Sequence, residues 1–491
     1  MPFRVLQASS DPHISLRCLD GPAEVLGGYA ALSHVWQGAE QPFEELETLR
    51  RAGVTLDAPS VSVKVRECRT LAMAYGLPWY WVDAPCIDQR NSAELQEAIT
   101  SMFRWYAGAS ICFAYLPDVP SSDRIRERGS AFRRSVYFTR GWTLQELIAP
   151  RRVIFVSAEW TVLGEKEDLA DVLEEITRVP ADVLALRRSP SDVSVACRLS
   201  WASQRSTRRV EDQAYCLMGL FDIHMRVDYG EGDKAFQRLQ QRILKAHCDH
   251  TLFAWGGVRD MDPLVPPSEA QINPGPRTSL FAPSPAAFSG CTSMHSVAIE
   301  DFLITLERCG ILSAGGTESL PRFMLDHHGL HCRLPVLHYG SEPFAALLAC
   351  QDRCESFIAL PVQPHDHRGL VYVLCGIDAS EQPSLSPDMG AQRLLRLSLV
   401  DVQRLPRSRA VGARTLLSRW KENAALGVRF MAIQIATEPS RTLRRRSNPA
   451  PSESDSVPSR AEPGLNGAPG NLAAAARLML AGCIRFLRGL S

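Results

Sequence analysis

The chain has 491 residues, 45% hydrophobic and 22% charged, with Lys+Arg and Asp+Glu balanced at 54 each. That length exceeds one ordinary core, so two or three soluble globular domains are expected. Zero net charge gives no global field to steer the chain onto nucleic acid, and no specific nucleic-acid partner is expected. The 14 cysteines fall singly, without a CxxC pair. The start, MPFRVLQASSDPH, lacks the charged and then apolar pattern of an export signal. Reduced thiols in the cytoplasm follow as the expectation. No run of about 18 apolar residues suggests a spanning helix, and no fixed-period repeat suggests a solenoid.

In chain order, Phe3–Leu6 is a short apolar start and Tyr29–Trp36 (YAALSHVW) reads as a buried strand. Phe43–Arg51 and Val61–Tyr75 carry helical periodicity, Leu77–Val82 is a strand, Glu94–Gly108 a helix and Ile111–Leu116 a strand. Arg124–Arg134 is polar and reads as a loop or exposed helix, and Val153–Val156 is a further strand. Strands alternating with helices imply a three-layer α/β domain on a parallel sheet over residues 1–160. Polar residues gather just past the strand ends: Ser33 and His34, Asp83 and Asp88, and Glu146. Ligand crevices form at that edge of a parallel sheet.

The last of these lies in RGWTLQELIAP, residues 140–150. Gly141 opens a turn, and Trp142, Leu144, Leu147 and Ile148 recur at helical spacing, which leaves Gln145 and Glu146 to point elsewhere. Glu146 is the first candidate for chemistry. A plain alternative stands beside it, a surface Glu that complements the helix dipole.

Residues 161–260 read as a helical extension packed on this domain, with helices at Glu165–Thr177, Ser200–Asp222 and Asp233–His247. Arg208, Arg209, Glu211 and Asp212 suggest a structural ion-pair cluster. From 261 to 436 the short apolar runs Phe302–Leu306, Cys332–Leu337, Phe344–Leu348, Phe357–Val362, Leu370–Leu374 and Leu394–Val400 suggest a β-rich accessory domain. Residues 437–470 have linker composition. Residues 471–491 form an amphipathic basic pattern, suited to peripheral membrane contact, to a partner, or to docking on their own domain. His327, His328, His331, Cys332, Cys350 and Cys354 keep no standard metal spacing, and no metal is expected. Phosphate-loop, GxGxxG, HExxH and GxSxG motifs are absent.

YAALSHVW, WYWVDAPCIDQ and RGWTLQEL, in that order, resemble the fungal heterokaryon-incompatibility (HET) domain over about Tyr29 to Val156. RLSWASQRSTRRVEDQAYCLMGLFDIHMRVDYGEG resembles the segment that commonly follows it. The resemblance implies non-self recognition and regulated cell death, and a remote likeness to Toll/interleukin-receptor-like (TIR) domains, hence a flavodoxin/TIR-like sheet. Enzymatic TIR domains cleave NAD, and their catalytic Glu in WCxxEL matches Glu146 in WTLQEL. No cofactor is then implied, and NAD is the substrate. In that role Asp83 or Asp88 would hold ribose hydroxyls, Arg140 would meet the pyrophosphate and Trp36 would stack on a ring, with Ser33 at the same edge. Each has a plain counterpart: Trp36 in the core, Arg140 paired with a carboxylate, Asp83 capping a turn. The rival function is a non-enzymatic, self-associating adaptor that recruits proteins through its β-rich domain or tail.

Overall fold

The computed structural model describes residues 1–19, 26–260, 279–308, 323–326, 329–339, 342–364, 371–374, 392–397 and 426–435. Strands β1 (Arg4–Gln7) and β2 (Leu16–Cys18) precede β3 (Tyr29–His34), α1 (Phe43–Arg51), α2 (Val63–Ala74) and β4 (Trp79–Trp81). Then follow α3 (Asp83–Cys86), α4 (Ser92–Ala107), β5 (Ile111–Tyr115), α5 (Thr143–Ile148), β6 (Val153–Val156) and β7 (Val162–Glu165). Among the described residues these strands form a sheet in the order β2-β1-β4-β3-β5-β6-β7.

The centre of that sheet, β4-β3-β5-β6, is parallel. Taken alone, its strands lie in the order second, first, third, fourth. The edges are antiparallel, β1 with β2 and β4, and β7 with β6. The fully parallel sheet expected from the sequence is therefore corrected to a mixed one. The 157–161 connection is too short for a crossover, so β7 can only fold back on β6 as a hairpin. β3 and β6 are buried at every position, which is what parallel strands covered on both faces require.

The helices are held by local chemistry. Ser62 caps α2 by accepting from Val65 N–H, and the Asn91 side chain accepts from Ala93 and Glu94 N–H at the start of α4. Trp105 and Tyr106 of α4 meet the Trp81 ring edge-on at centroid distances of 5.8 and 5.5 Å.

The extension holds α6 (Ala170–Thr177), α7 (Ala181–Leu184), α8 (Val195–Ser200), α9 (Asp212–Tyr215) and α10 (Lys234–Ala246). The expected helix over Ser200–Asp222 is broken. Ser206 spends its backbone elsewhere, donating to Thr139 O at 2.7 Å and accepting from Gly141 N–H at 2.9 Å. The helix expected from Glu165 starts only at Ala170, because Glu165 pairs with Ile154 in the sheet. The expected Arg–carboxylate cluster is also replaced. Glu211 accepts from Gly230 and Gly232 N–H at 2.7 and 3.2 Å, Asp212 takes the Tyr229 hydroxyl at 3.0 Å, and Arg209 lies over the Tyr229 ring.

A second sheet is built from β8 (Gly257–Asp260), β9 (His295–Ser296), β10 (Met324–Asp326), β11 (Gly329–Tyr339), β12 (Glu342–Gln351), β13 (Phe357–Pro364), β14 (Val371–Leu374), β15 (Gln392–Leu397) and β16 (Leu426–Ile435). β11 pairs with β12, β12 with β13, β13 with β14, β14 with β16 and β16 with β11, so these strands close a ring. Phe302–Leu306, expected among the β-like runs, instead lies in α11 (Ile299–Arg308), where Phe302 and Leu306 bury one face at helical spacing. His250 ties the extension to this sheet, its Nδ1 accepting from Ala349 N–H at 3.0 Å. Burial pushes the His250 pKa down to about 4, so the imidazole is neutral at the seam.

The proposed linker 437–470, the tail 471–491, and His327 and His328 lie outside the described residues. Among the described residues no group of His, Cys, Asp and Glu could hold a metal, and no helix is long and apolar enough to cross a membrane.

Candidate functional site

The site lies at the C-terminal end of the parallel strands, where the strand order reverses between β3 and β5. Ligand crevices open at such points in α/β sheets. β3 delivers Ser33 and His34, β4 runs into α3 at Asp83, and α5 brings Glu146.

Both ends of α5 are fixed. At its first residue, the Thr143 hydroxyl shares its one proton between Tyr137 O at 2.5 Å and Arg140 O at 3.0 Å. Beyond its C-terminus the buried Lys166 ammonium donates to Leu147 O at 3.3 Å and Pro150 O at 2.6 Å, which satisfies carbonyls the helix leaves open. All six helix residues are buried, including Gln145 at 2% and Glu146 at 7% exposure. The alternative of a solvent-facing Glu that complements the dipole therefore does not describe this position.

The Glu146 carboxyl meets two hydroxyl groups. Ser33 Oγ donates to Glu146 Oε2 at 2.5 Å, and Tyr137 Oη lies 2.8 Å from Ser33 Oγ. Ser33 has one proton to give, so Tyr137 is the donor to Ser33 and the order is Tyr137 to Ser33 to Glu146. The Tyr106 hydroxyl donates its one proton to Leu32 O at 3.1 Å. Burial, with the nearby Asp83 charge, pushes Glu146 up to about 8 against the opposing pull of Ser33, Arg205 and Tyr106. At rest and neutral pH this carboxyl is largely protonated.

A second group forms the rim. Trp36 is 42% exposed, and its Nε1 donates to Asp83 Oδ2 at 2.8 Å. Asp83 Oδ1 accepts from Ala84 N–H at 2.8 Å. His34 Nε2 is buried 3.4 Å from Glu40 Oε2 and 3.8 Å from Asp83 Oδ1, outside hydrogen-bond geometry. Glu40 also accepts from Lys64 Nζ at 2.5 Å, and His34 and Lys64 together hold its carboxyl down at about 2 although burial opposes them.

Of the sequence candidates, Ser33, Glu146, Asp83 and Trp36 come together. Trp36 is at the surface, not in the core, and Asp83 both caps a turn and holds the indole. Asp88 stands apart: its Oδ1 accepts from Arg90 N–H at 3.0 Å in the turn before α4. Arg140 is half-buried and meets no carboxylate among the described residues. It is tied through its backbone, the carbonyl accepting from Arg205 Nη1 at 2.8 Å. Tyr106, Tyr137 and Arg205 were not singled out from the sequence. The tyrosines sit in apolar runs and read as core, and Arg205 lies in a polar stretch with no periodicity.

Comparison with known proteins bears on the same region. Residues 29–128 match the family model described as heterokaryon incompatibility protein (HET), and residues 234–353 match a domain of unknown function (DUF8212). The chain is 43% identical over 236 residues to vegetative incompatibility protein HET-E-1 of Podospora anserina. That alignment takes in 46% of this chain but spans only 17% of the relative's length. No solved structure matches.

Proposed function

We propose, from the match of residues 29–128 to the HET family model, that the protein acts in vegetative incompatibility by cleaving NAD at Glu146 to trigger cell death. The carrying observation is the buried Glu146 carboxyl, bonded to Ser33 at the point where the parallel strand order reverses. The second-first-third-fourth order of the parallel strands supports the flavodoxin/TIR-like reading of the fold.

The chemistry follows from the charges. The nicotinamide ring of NAD is a cation, and a cation entering beside Glu146 favours loss of its proton. The ionised carboxylate then faces the ribose carbon. Breaking the nicotinamide–ribose bond sends its electron pair to the ring, which leaves as neutral nicotinamide, and creates an oxocarbenium-like centre that Glu146 stabilises. Water adds to that carbon and releases a proton, giving ADP-ribose. Trp36 offers a ring face at the rim, and Asp83 offers acceptors for ribose hydroxyls. The scattered cysteines of the sequence, without a CxxC pair, support a reducing, cytoplasmic setting.

One observation favours a second reading. Glu146 is neutral and hydrogen-bonded at rest, as a structural acid would be, and the protein then serves as a self-associating adaptor. Nicotinamide release by the concentrated full-length chain, wild type beside Glu146→Gln, separates the two. Catalysis predicts a loss of about 100-fold or more with folding intact. Equal absence of turnover in both proteins favours the adaptor.

A further inference from the structure

We propose that Arg205, supplied by the helical extension, is a positioning residue of the Glu146 site, clamping the turn that carries α5. The inference rests on the reading of Glu146 as the working carboxylate and adds a second part of the chain to that site.

Arg205 Nη1 donates to Arg140 O at 2.8 Å and to Thr143 Oγ1 at 3.0 Å, while Nε reaches Trp201 O at 3.3 Å. The other terminal nitrogen, Nη2, is sealed from solvent and has no partner. No carboxylate pairs with this guanidinium among the described residues. The residue as a whole is half-buried, but a guanidinium nitrogen sealed without a partner is costly, since its hydration is lost and no acceptor replaces it. Burial pulls Arg205 down to about 10, so it stays charged at neutral pH, and the acids whose charge reaches it are Tyr137, Cys216 and then Glu146. Among these groups Glu146 is the one that can ionise near neutrality.

The grip extends beyond one side chain. Ser206 clasps Thr139 and Gly141 through the backbone, and a Cβ on Gly141 would lie 2.5 Å from Thr207 Cγ2. So residues 205–207 are fitted against 139–143, and the turn before α5 has no room to shift outward. The groups facing Glu146 are Ser33 from β3, Asp83 from α3, Tyr106 from α4, Cys112 from β5, Tyr137 from the turn before α5, and Arg205 and Cys216 from the extension. Arg205 is the cation in that set. Through Arg205 the extension becomes part of the working unit.

The test uses the full chain and two readouts. The protonated carboxylic-acid band of Glu146 is followed by infrared difference spectroscopy against Glu146→Gln, and nicotinamide release is measured across the same pH range. Arg205→Gln removes both the clamp on Arg140 O and Thr143 Oγ1 and the charge, and the Glu146 midpoint is expected to rise. Arg205→Lys keeps the charge without the planar fork. Its midpoint is expected to stay near wild type while turnover falls about tenfold or more at every pH. Should Arg205→Gln fail to fold, the Lys variant decides: unchanged turnover overturns the proposal. Likewise, a folded Gln variant with an unmoved midpoint overturns it, leaving Arg205 as packing only. If the midpoint moves but wild type releases no nicotinamide, the cleavage reading falls, and what stands is that Arg205 positions Glu146 as a structural acid.

Discussion

Ser33 and Glu146, 113 residues apart in sequence, share one hydrogen bond at the end of the parallel strands, and Tyr137 completes the relay behind Ser33. Ser33→Ala removes the central hydroxyl and leaves the Tyr137 hydroxyl and one carboxyl oxygen without their partner. Stability should fall by about 1–3 kcal/mol, as for buried polar groups left unpaired. Because Ser33 helps the ionised form, the Glu146 midpoint should also rise. Urea unfolding with infrared titration reads both, and an unchanged midpoint would show that Ser33 does not favour the carboxylate.

Glu146 makes stability fall as pH rises. Its pKa is about 8 when folded against 4.5 as the ordinary value. The folded protein therefore keeps a proton that the unfolded chain has released between those limits. The associated stability is full below about 4.5 and is lost as pH rises through about 8. Glu146→Gln is neutral at every pH, so its advantage over wild type should grow across that window, with an upper bound of roughly 5 kcal/mol. Denaturation midpoints at pH 5 and pH 9 measure it, and parallel profiles for the two proteins would contradict the assignment.

Trp36 should affect binding more than folding. Its ring is 42% exposed and fixed in direction by the bond to Asp83. Trp36→Ala should raise KM for NAD by about 3–10-fold, the value of one lost aromatic stack, with little change in Tm. Trp36→Phe keeps a ring face and should recover much of that loss. Equal KM values for all three proteins would remove Trp36 from the binding site.

Gly141 is needed for space. In Gly141→Ala the new methyl would lie 2.5 Å from Thr207 Cγ2 and 3.2 Å from Cys216 Sγ, so something must shift, at about 1–3 kcal/mol. Thr207→Ser removes the nearer atom, and in the double variant it should restore part of the loss. Strictly additive effects in thermal unfolding would mean that the two positions do not press on each other.

The parallel centre was legible because its strands are continuous apolar runs, of which β3 is buried throughout. The edge strands β2 and β7 were not, since LRC and VLGE are short and partly exposed and carry no alternation. At the site, Glu146 was readable from the apolar positions around it in WTLQEL. Arg205 was not, because a guanidinium that will be buried looks the same in sequence as one that will be solvated. The broken helix at Ser200–Asp222 has the same origin: Ser206 bonds to residues far back in the chain, which local periodicity does not register. Distant backbone partners decided both.

The ring in the second sheet has a bearing on synthesis. β11 takes one neighbour, β12, from the next stretch of chain, but its other neighbour is β16, Leu426–Ile435. As the chain leaves the ribosome, the first sheet and the extension can form while β11 and β14 still await that last strand. Until it arrives both present unpaired backbone, an open invitation to another nascent chain. A message ending before codon 426 would therefore yield a protein with an intact Glu146 site and a strong tendency to associate through those edges.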